Sequence, residues 1–148
     1  MTERPHNDHT LLFEVWLVAN STRALLDGAL RRGGLDAEDF ALYSVLARPG
    51  GATPTDLAAM MARPATTVSS IVSRLEGRGH VRRTPNPDDA RSYRIELTRS
   101  GRHAHARAGR LFLPVLAQVE ANLGMPVSQA EDVLRLIEAA VRAAINHD

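Results

Sequence analysis

A chain of 148 residues, 44% of them hydrophobic, has the apolar content for the core of one domain, and its formal charge of +1 excludes a uniformly polyanionic or polycationic protein. Cysteine is absent, which rules out disulfides, thiolate-bound zinc and thiol redox sensing. No apolar run approaches the ~18 residues of a membrane span and the start, MTERPHNDHT, lacks an apolar signal segment, so a cytoplasmic location is expected.

The near-neutral total conceals a separation of charge along the chain. Residues 63–110 hold 11 arginines against four acids, a net of +7, while the rest carries seven arginines and 13 acids, a net of −6. A local basic patch on a near-neutral protein is the electrostatic footprint of a nucleic-acid-binding face. A merely solvated arginine surface would not cluster around a turn-helix-hairpin pattern. All 18 basic residues are arginine, in keeping with GC-rich coding; each phosphate contact can therefore be a bidentate fork, and no lysine is present to form a Schiff base.

In chain order, a first helix is expected over residues 8–32, with Leu11, Leu12, Val15, Trp16, Val18, Leu25 and Leu26 in its apolar stripe and Gly33-Gly34 as its stop. The stripe is wider than one chain of this size can cover, so a partner helix is expected. Asp36, with Asp39 three residues on, opens a second helix whose Phe40, Leu42, Tyr43, Val45 and Leu46 face inward before Pro49-Gly50-Gly51 breaks it. Thr53, Pro54 and Asp56 start a third helix. Arg63-Pro64 makes the turn, with Pro64 serving as first residue of a fourth helix. There Val68, Ile71, Val72 and Leu75 form the apolar side, and Thr66, Thr67, Ser70, Ser73 and Arg74 a small polar side able to approach a groove.

Gly77 and Gly79 end that helix, and strands over residues 81–84 and 93–97 flank PNPDDAR, a loop too long for a tight hairpin turn and therefore a protruding wing. Thr98 caps a long fifth helix reaching about residue 123. It carries Arg99, Arg102, Arg107 and Arg110, and Pro114 is expected to bend it or divide it at Leu113. Ser128 and Glu131 form a capping box for a sixth helix with Val133, Leu134, Leu136, Ile137, Val141 and Ile145 on one side. The fold class is mainly α with a small two- to three-stranded antiparallel wing, a winged helix-turn-helix. Its second helix-turn-helix element would lie in the major groove, Arg91 at the backbone or minor groove, and Arg82, Arg83 and Arg94 at phosphates.

The segments LAAMMARPATTVSSIVSRLEGRGHVRR and NPDDARSYRIELTRSGR resemble the recognition helix, wing and fifth-helix start of the MarR (multiple antibiotic resistance regulator) family of bacterial transcription factors, and the helix layout is similar over nearly the whole chain. The resemblance implies a homodimeric repressor reading a pseudo-palindromic operator. Residues 1–34 and 99–148 would dimerise and residues 35–98 bind DNA. Thr66, Thr67, Ser70 and Arg74 match recognition-helix positions, and Asp89 and Arg91 match the wing's acidic and arginine positions, where the aspartate helps hold the arginine. Ser70 and Ala90 depart from the pattern, standing where many members have a basic residue; readout then rests on short hydroxyls, water and shape.

The family also implies release by a small, often aromatic ligand, for which Trp16, Asn20, Tyr43 and Arg110 are candidate contacts; Trp16 and Tyr43 have the competing reading of core aromatics, and Arg110 that of an ion-paired arginine. No cofactor or metal is expected. His103 and His105 point to different faces of a helix, and His6 and His9 fall in the N-terminal segment. There is no glycine-rich phosphate loop, nucleophile elbow or His-Glu-x-x-His, so no enzyme is expected; the alternative is a dimeric interaction module with weak or lost DNA specificity.

Overall fold

The computed structural model describes residues 10–146. Helix α1 spans Leu11–Leu30, with Thr10 as its N-cap, its hydroxyl accepting from the Phe13 N–H. The expected start near Asp8, and the His6/His9 pair, lie outside the described residues. At its other end α1 passes into a short 3-10 turn, Arg31–Gly33, closed by Gly34 at φ 78°. Helix α2 (Ala37–Leu46) is capped by Asp36, whose carboxylate accepts from the Asp39 N–H. Helix α3 (Pro54–Met61) opens on a reciprocal capping box between Thr53 and Asp56 with Pro54 in the first turn.

Helix α4 (Ala65–Gly77) begins one residue later than expected. Pro64 is its N-cap, with ψ at 150°, and its carbonyl accepts from the Thr67 and Val68 N–H groups. Gly79, at φ 70°, turns the chain out of α4, and the His80 N–H bonds back to the Leu75 carbonyl. Strands β1 (Val81–Pro85) and β2 (Tyr93–Leu97) pair antiparallel, Val81 opposite Leu97 and Pro85 opposite Tyr93. A third rung comes from Ala52 alone, which bridges Ile95 through both of its backbone groups. This single-residue bridge resolves the two- to three-stranded expectation.

Helix α5 (Arg99–Ala121) starts at Thr98, whose hydroxyl donates to the Gly79 carbonyl at 2.6 Å and accepts from the Gly101 N–H at 3.1 Å. It remains helical through Pro114 rather than dividing there. The carbonyl that Pro114 leaves unbonded belongs to Arg110, an exposed residue, so water can serve it. Helix α6 (Val127–Ile145) has Pro126 as N-cap and no side-chain cap. The Ser128/Glu131 capping box is therefore not formed: Pro126 lacks an N–H, its carbonyl takes the Gln129 and Ala130 N–H groups, and Ser128 falls inside the first turn. No described helix is long and apolar enough to cross a membrane.

The chain divides into two compact units at Phe112 and Leu113. In the first, Leu30, Leu35, Phe40, Leu42, Tyr43 and Leu46 join Leu57, Val68, Val72, Leu75, Val81, Ile95, Leu97, Ala104 and Ala108 in one core. In the second, α6 buries none of its residues, and Leu113, Val119, Val133, Leu134, Leu136 and Ile145 are exposed.

Candidate nucleic-acid interface

Helix α4 turns Val68, Val72 and Leu75 into the core and leaves Thr66, Ser70 and Ser73 exposed, with Thr67 half-buried at the edge. The Ser70 hydroxyl donates to the Thr66 carbonyl at 3.1 Å, leaving its oxygen lone pairs as acceptors. Such a surface can approach bases closely and accept from adenine or cytosine amino groups.

Arg74 is not on this face as a free donor, contrary to the expectation. Its guanidinium forks onto Asp39 at 3.0 and 2.7 Å, and Arg78, the C-cap of α4 one turn further on, adds a contact to the same carboxylate at 2.7 Å. Asp39 is 1% exposed. Burial alone would raise its carboxyl, but the bonds and charges of Arg74 and Arg78 outweigh this and hold it below the ordinary value of 3.8, so it is ionised at neutral pH. The carboxylate also sits in the first turn of α2, where the helix dipole favours negative charge.

Three other arginines expected at phosphates are engaged within the chain. Arg82 reaches Glu96 at 3.1 Å; Arg83 forks onto Glu76 at 3.0 Å and lies over the Tyr93 ring. Arg94, half-buried, bonds Asn86, the Gly50 carbonyl and Asp88, and so ties the wing base to the turn after α2. Arg82 and Arg83 keep exposed side chains and can share their charge with a phosphate, whereas Arg94 is a structural strut. Arg91 differs: it is exposed at the wing tip, and no ion pair holds its guanidinium among the described residues. Asp89 accepts from the Arg91 backbone N–H at 2.9 Å, so it shapes the loop rather than gripping the guanidinium as the resemblance implied.

The four candidate effector residues differ in their surroundings. Tyr43 is fully buried, its hydroxyl 2.7 Å from His80 Nδ1. Burial, then the Asp39 charge, raises the Tyr43 hydroxyl above 10.0, while burial, then the Arg78 and Arg107 charges, lowers His80 below 6.5; a neutral phenol therefore meets a neutral imidazole, whose tautomer sets which of the two donates. Asn20 turns its amide back to the Trp16 carbonyl at 2.7 Å, and Trp16 and Arg110 are exposed. A cleft of about 410 Å³ is lined by Arg82, Leu97, Thr98, Arg99, Arg102 and His103, and one of about 270 Å³ by residues of α2, α3 and Arg63; neither includes the four candidates.

His105 stacks on Phe40 and bonds Ser44 at 3.0 Å, with its imidazole lowered by burial. Among the described residues no group of three or more histidines and acids could hold a metal. Sequence reasoning missed the pairing of Asp39 with Arg74 and Arg78. The available signal was an acid next to Phe40 in an otherwise inward-facing helix, with two arginines four apart on α4.

The family model of the MarR family matches residues 34–92, from the turn before α2 through the wing loop. The crystal structure of the M. tuberculosis transcriptional regulator MOSR in complex with DNA superposes with a TM-score of 0.75 at 30% identity, covering 91% of this chain and 98% of MOSR. The chain belongs to the MarR family. This is a family of transcription regulators and not of enzymes. Within the same family fold, CouR from Rhodococcus jostii RHA1 bound to p-coumaroyl-CoA has a TM-score of 0.73 at 26% identity, covering 88% of this chain and 92% of CouR. The transcriptional activatory protein BadR of Rhodopseudomonas palustris is 30% identical over 96 residues, 63% of this chain. The chain spans 55% of the length of BadR.

Proposed function

We propose that this MarR-family protein is a homodimeric transcription repressor that binds a pseudo-palindromic operator and is released by a small ligand. The observation carrying the DNA reading is the exposed hydroxyl face of α4 beside a wing whose Arg91 has no ion-pair partner among the described residues. Thr66, Thr67, Ser70 and Ser73 contact base edges; Arg91 contacts the backbone or minor groove, and Arg82 and Arg83 contact phosphates. Asp89 holds the wing loop. MOSR, crystallised with DNA, supports the DNA partner, and CouR, crystallised with p-coumaroyl-CoA, supports a small-molecule effector. Of the effector candidates, Trp16, Asn20 and Arg110 remain accessible, whereas Tyr43 acts from the core.

Fluorescence anisotropy on the intergenic DNA beside the gene, with scrambled competitor and a salt series, tests this reading. Selective, salt-sensitive binding at two chains per site is expected. Equal affinity for scrambled DNA would instead favour an interaction module. Deleting the gene is expected to raise the neighbouring transcript; a fall would make the protein an activator, as BadR is named.

A further inference from the structure

The buried acid of the first unit and two arginines of the recognition helix form a single assembly. Asp39 enters the protein interior with its N–H capped by Asp36 and all three of its charged contacts made to α4. Arg74 and the C-cap residue Arg78 stand one turn apart on the flank of α4 and its end, between the buried line of Val68, Val72 and Leu75 and the exposed line of Thr66, Ser70 and Ser73. Apolar contacts along the buried line are non-directional and let a helix roll. A planar guanidinium forked onto a carboxylate does not, because both bonds are lost together when either group turns.

We propose that Asp39 is a positioning residue for DNA selectivity: by clamping Arg74 and Arg78 it fixes the roll of α4, and so sets where the hydroxyls of Thr66, Ser70 and Ser73 meet the base edges. This rests on the regulator reading above. The short side chains make the clamp matter. At ~5–6 Å from the helix axis, a roll of ~10° moves a hydroxyl by ~1 Å, enough to break a hydrogen bond. Glu38, beside Asp39, lies 3.6 Å from Arg63, so the first turn of α2 meets charges on both sides of the turn into α4. The two clamped arginines also stop being general phosphate ligands, which lowers affinity for arbitrary DNA.

The test selects an operator from a random duplex pool with the wild-type protein. Asp39→Asn and Arg74→Gln are then compared with wild type on that operator and on scrambled DNA over a salt series, with circular dichroism confirming that each variant is folded. Asp39→Asn is expected to lose ~10-fold or more in the operator-to-scrambled ratio while its scrambled-DNA binding holds or strengthens and its salt slope there rises by ~1–2, because two guanidinia are set free. Arg74→Gln is expected to lose selectivity with an unchanged salt slope, and carries the test if Asp39→Asn does not fold. General loosening of the fold would weaken both DNAs together and would overturn the proposal. So would unchanged ratios in the folded variants, or a salt slope on the operator lower by ~1 in Arg74→Gln, which would mark a direct phosphate contact. A wild-type protein that enriches no sequence is a separate outcome: it removes the regulator reading and, with it, any selectivity for Asp39 to set.

Discussion

At the scale of the residue, a count of arginines is a poor guide to DNA contacts, and the internal acids decide which are available. Asp39, Glu76, Glu96 and Asp88 engage Arg74 with Arg78, Arg83, Arg82 and Arg94 respectively. Exposed pairs of this kind add little to stability, so Arg82 and Arg83 can exchange an acid for a phosphate at small cost. Arg91 needs no exchange. Arg91→Ala is therefore expected to weaken binding to operator and scrambled DNA alike and to lower the salt slope by ~1. An unchanged slope in an anisotropy titration would mean that the wing does not touch phosphate. The polar side of α4 was legible because hydroxyl residues repeat at helical spacing opposite valine, isoleucine and leucine. The pairing of Arg74 was not, since a partner 35 positions away in sequence leaves no local pattern.

At the scale of the element, caps and breakers explain why most boundaries could be read and where they slipped. Asp36, Thr53 and Thr98 each satisfy an orphan N–H three residues on, so α2, α3 and α5 start where the sequence predicts. The Ser128 signal failed because Pro126, two residues earlier, already starts the helix. Glycine shows a second kind of constraint, approach between elements, which no local motif reveals. A Cβ on Gly101 would lie 2.0 Å from the His80 carbonyl oxygen, with the His80 backbone immediately behind it, whereas a Cβ on Gly109 of the same helix would meet nothing within 4 Å. The pair gives an internal control. Gly109→Ala is expected to stabilise by up to ~1 kcal/mol through helix propensity. Gly101→Ala is expected to destabilise by ~1–3 kcal/mol through overpacking, lowering Tm by several degrees. Thermal melts that rise for both variants would show that α5 does not press on the loop before β1.

At the scale of the whole molecule, the apolar surface left uncovered is the strongest argument for a second copy. On α1, Leu11, Leu12, Trp16 and Val18 are each more than half exposed, and on α6 so are Leu134, Leu136 and Ile145. An amphipathic helix with no buried residue, as α6 is, has no reason to be amphipathic unless something covers it. The sequence already suggested this, since the α1 stripe is too wide for one chain. Fully burying a leucine is worth roughly 1.5–3 kcal/mol, and two-fold symmetry counts each position twice, so a few of these side chains suffice for a tight dimer. Removing the residues after Val127 is expected to leave a folded first unit, whose core draws on no residue beyond Phe112, but to abolish dimerisation. Sedimentation would then find the truncated chain monomeric and the full chain at twice its 16.1 kDa. Operator affinity should fall steeply in parallel, because each half-site alone supports only weak binding. A truncated chain that stays dimeric would place the interface on α1, and a full-length chain that sediments as a monomer would remove the two-fold reading of the operator.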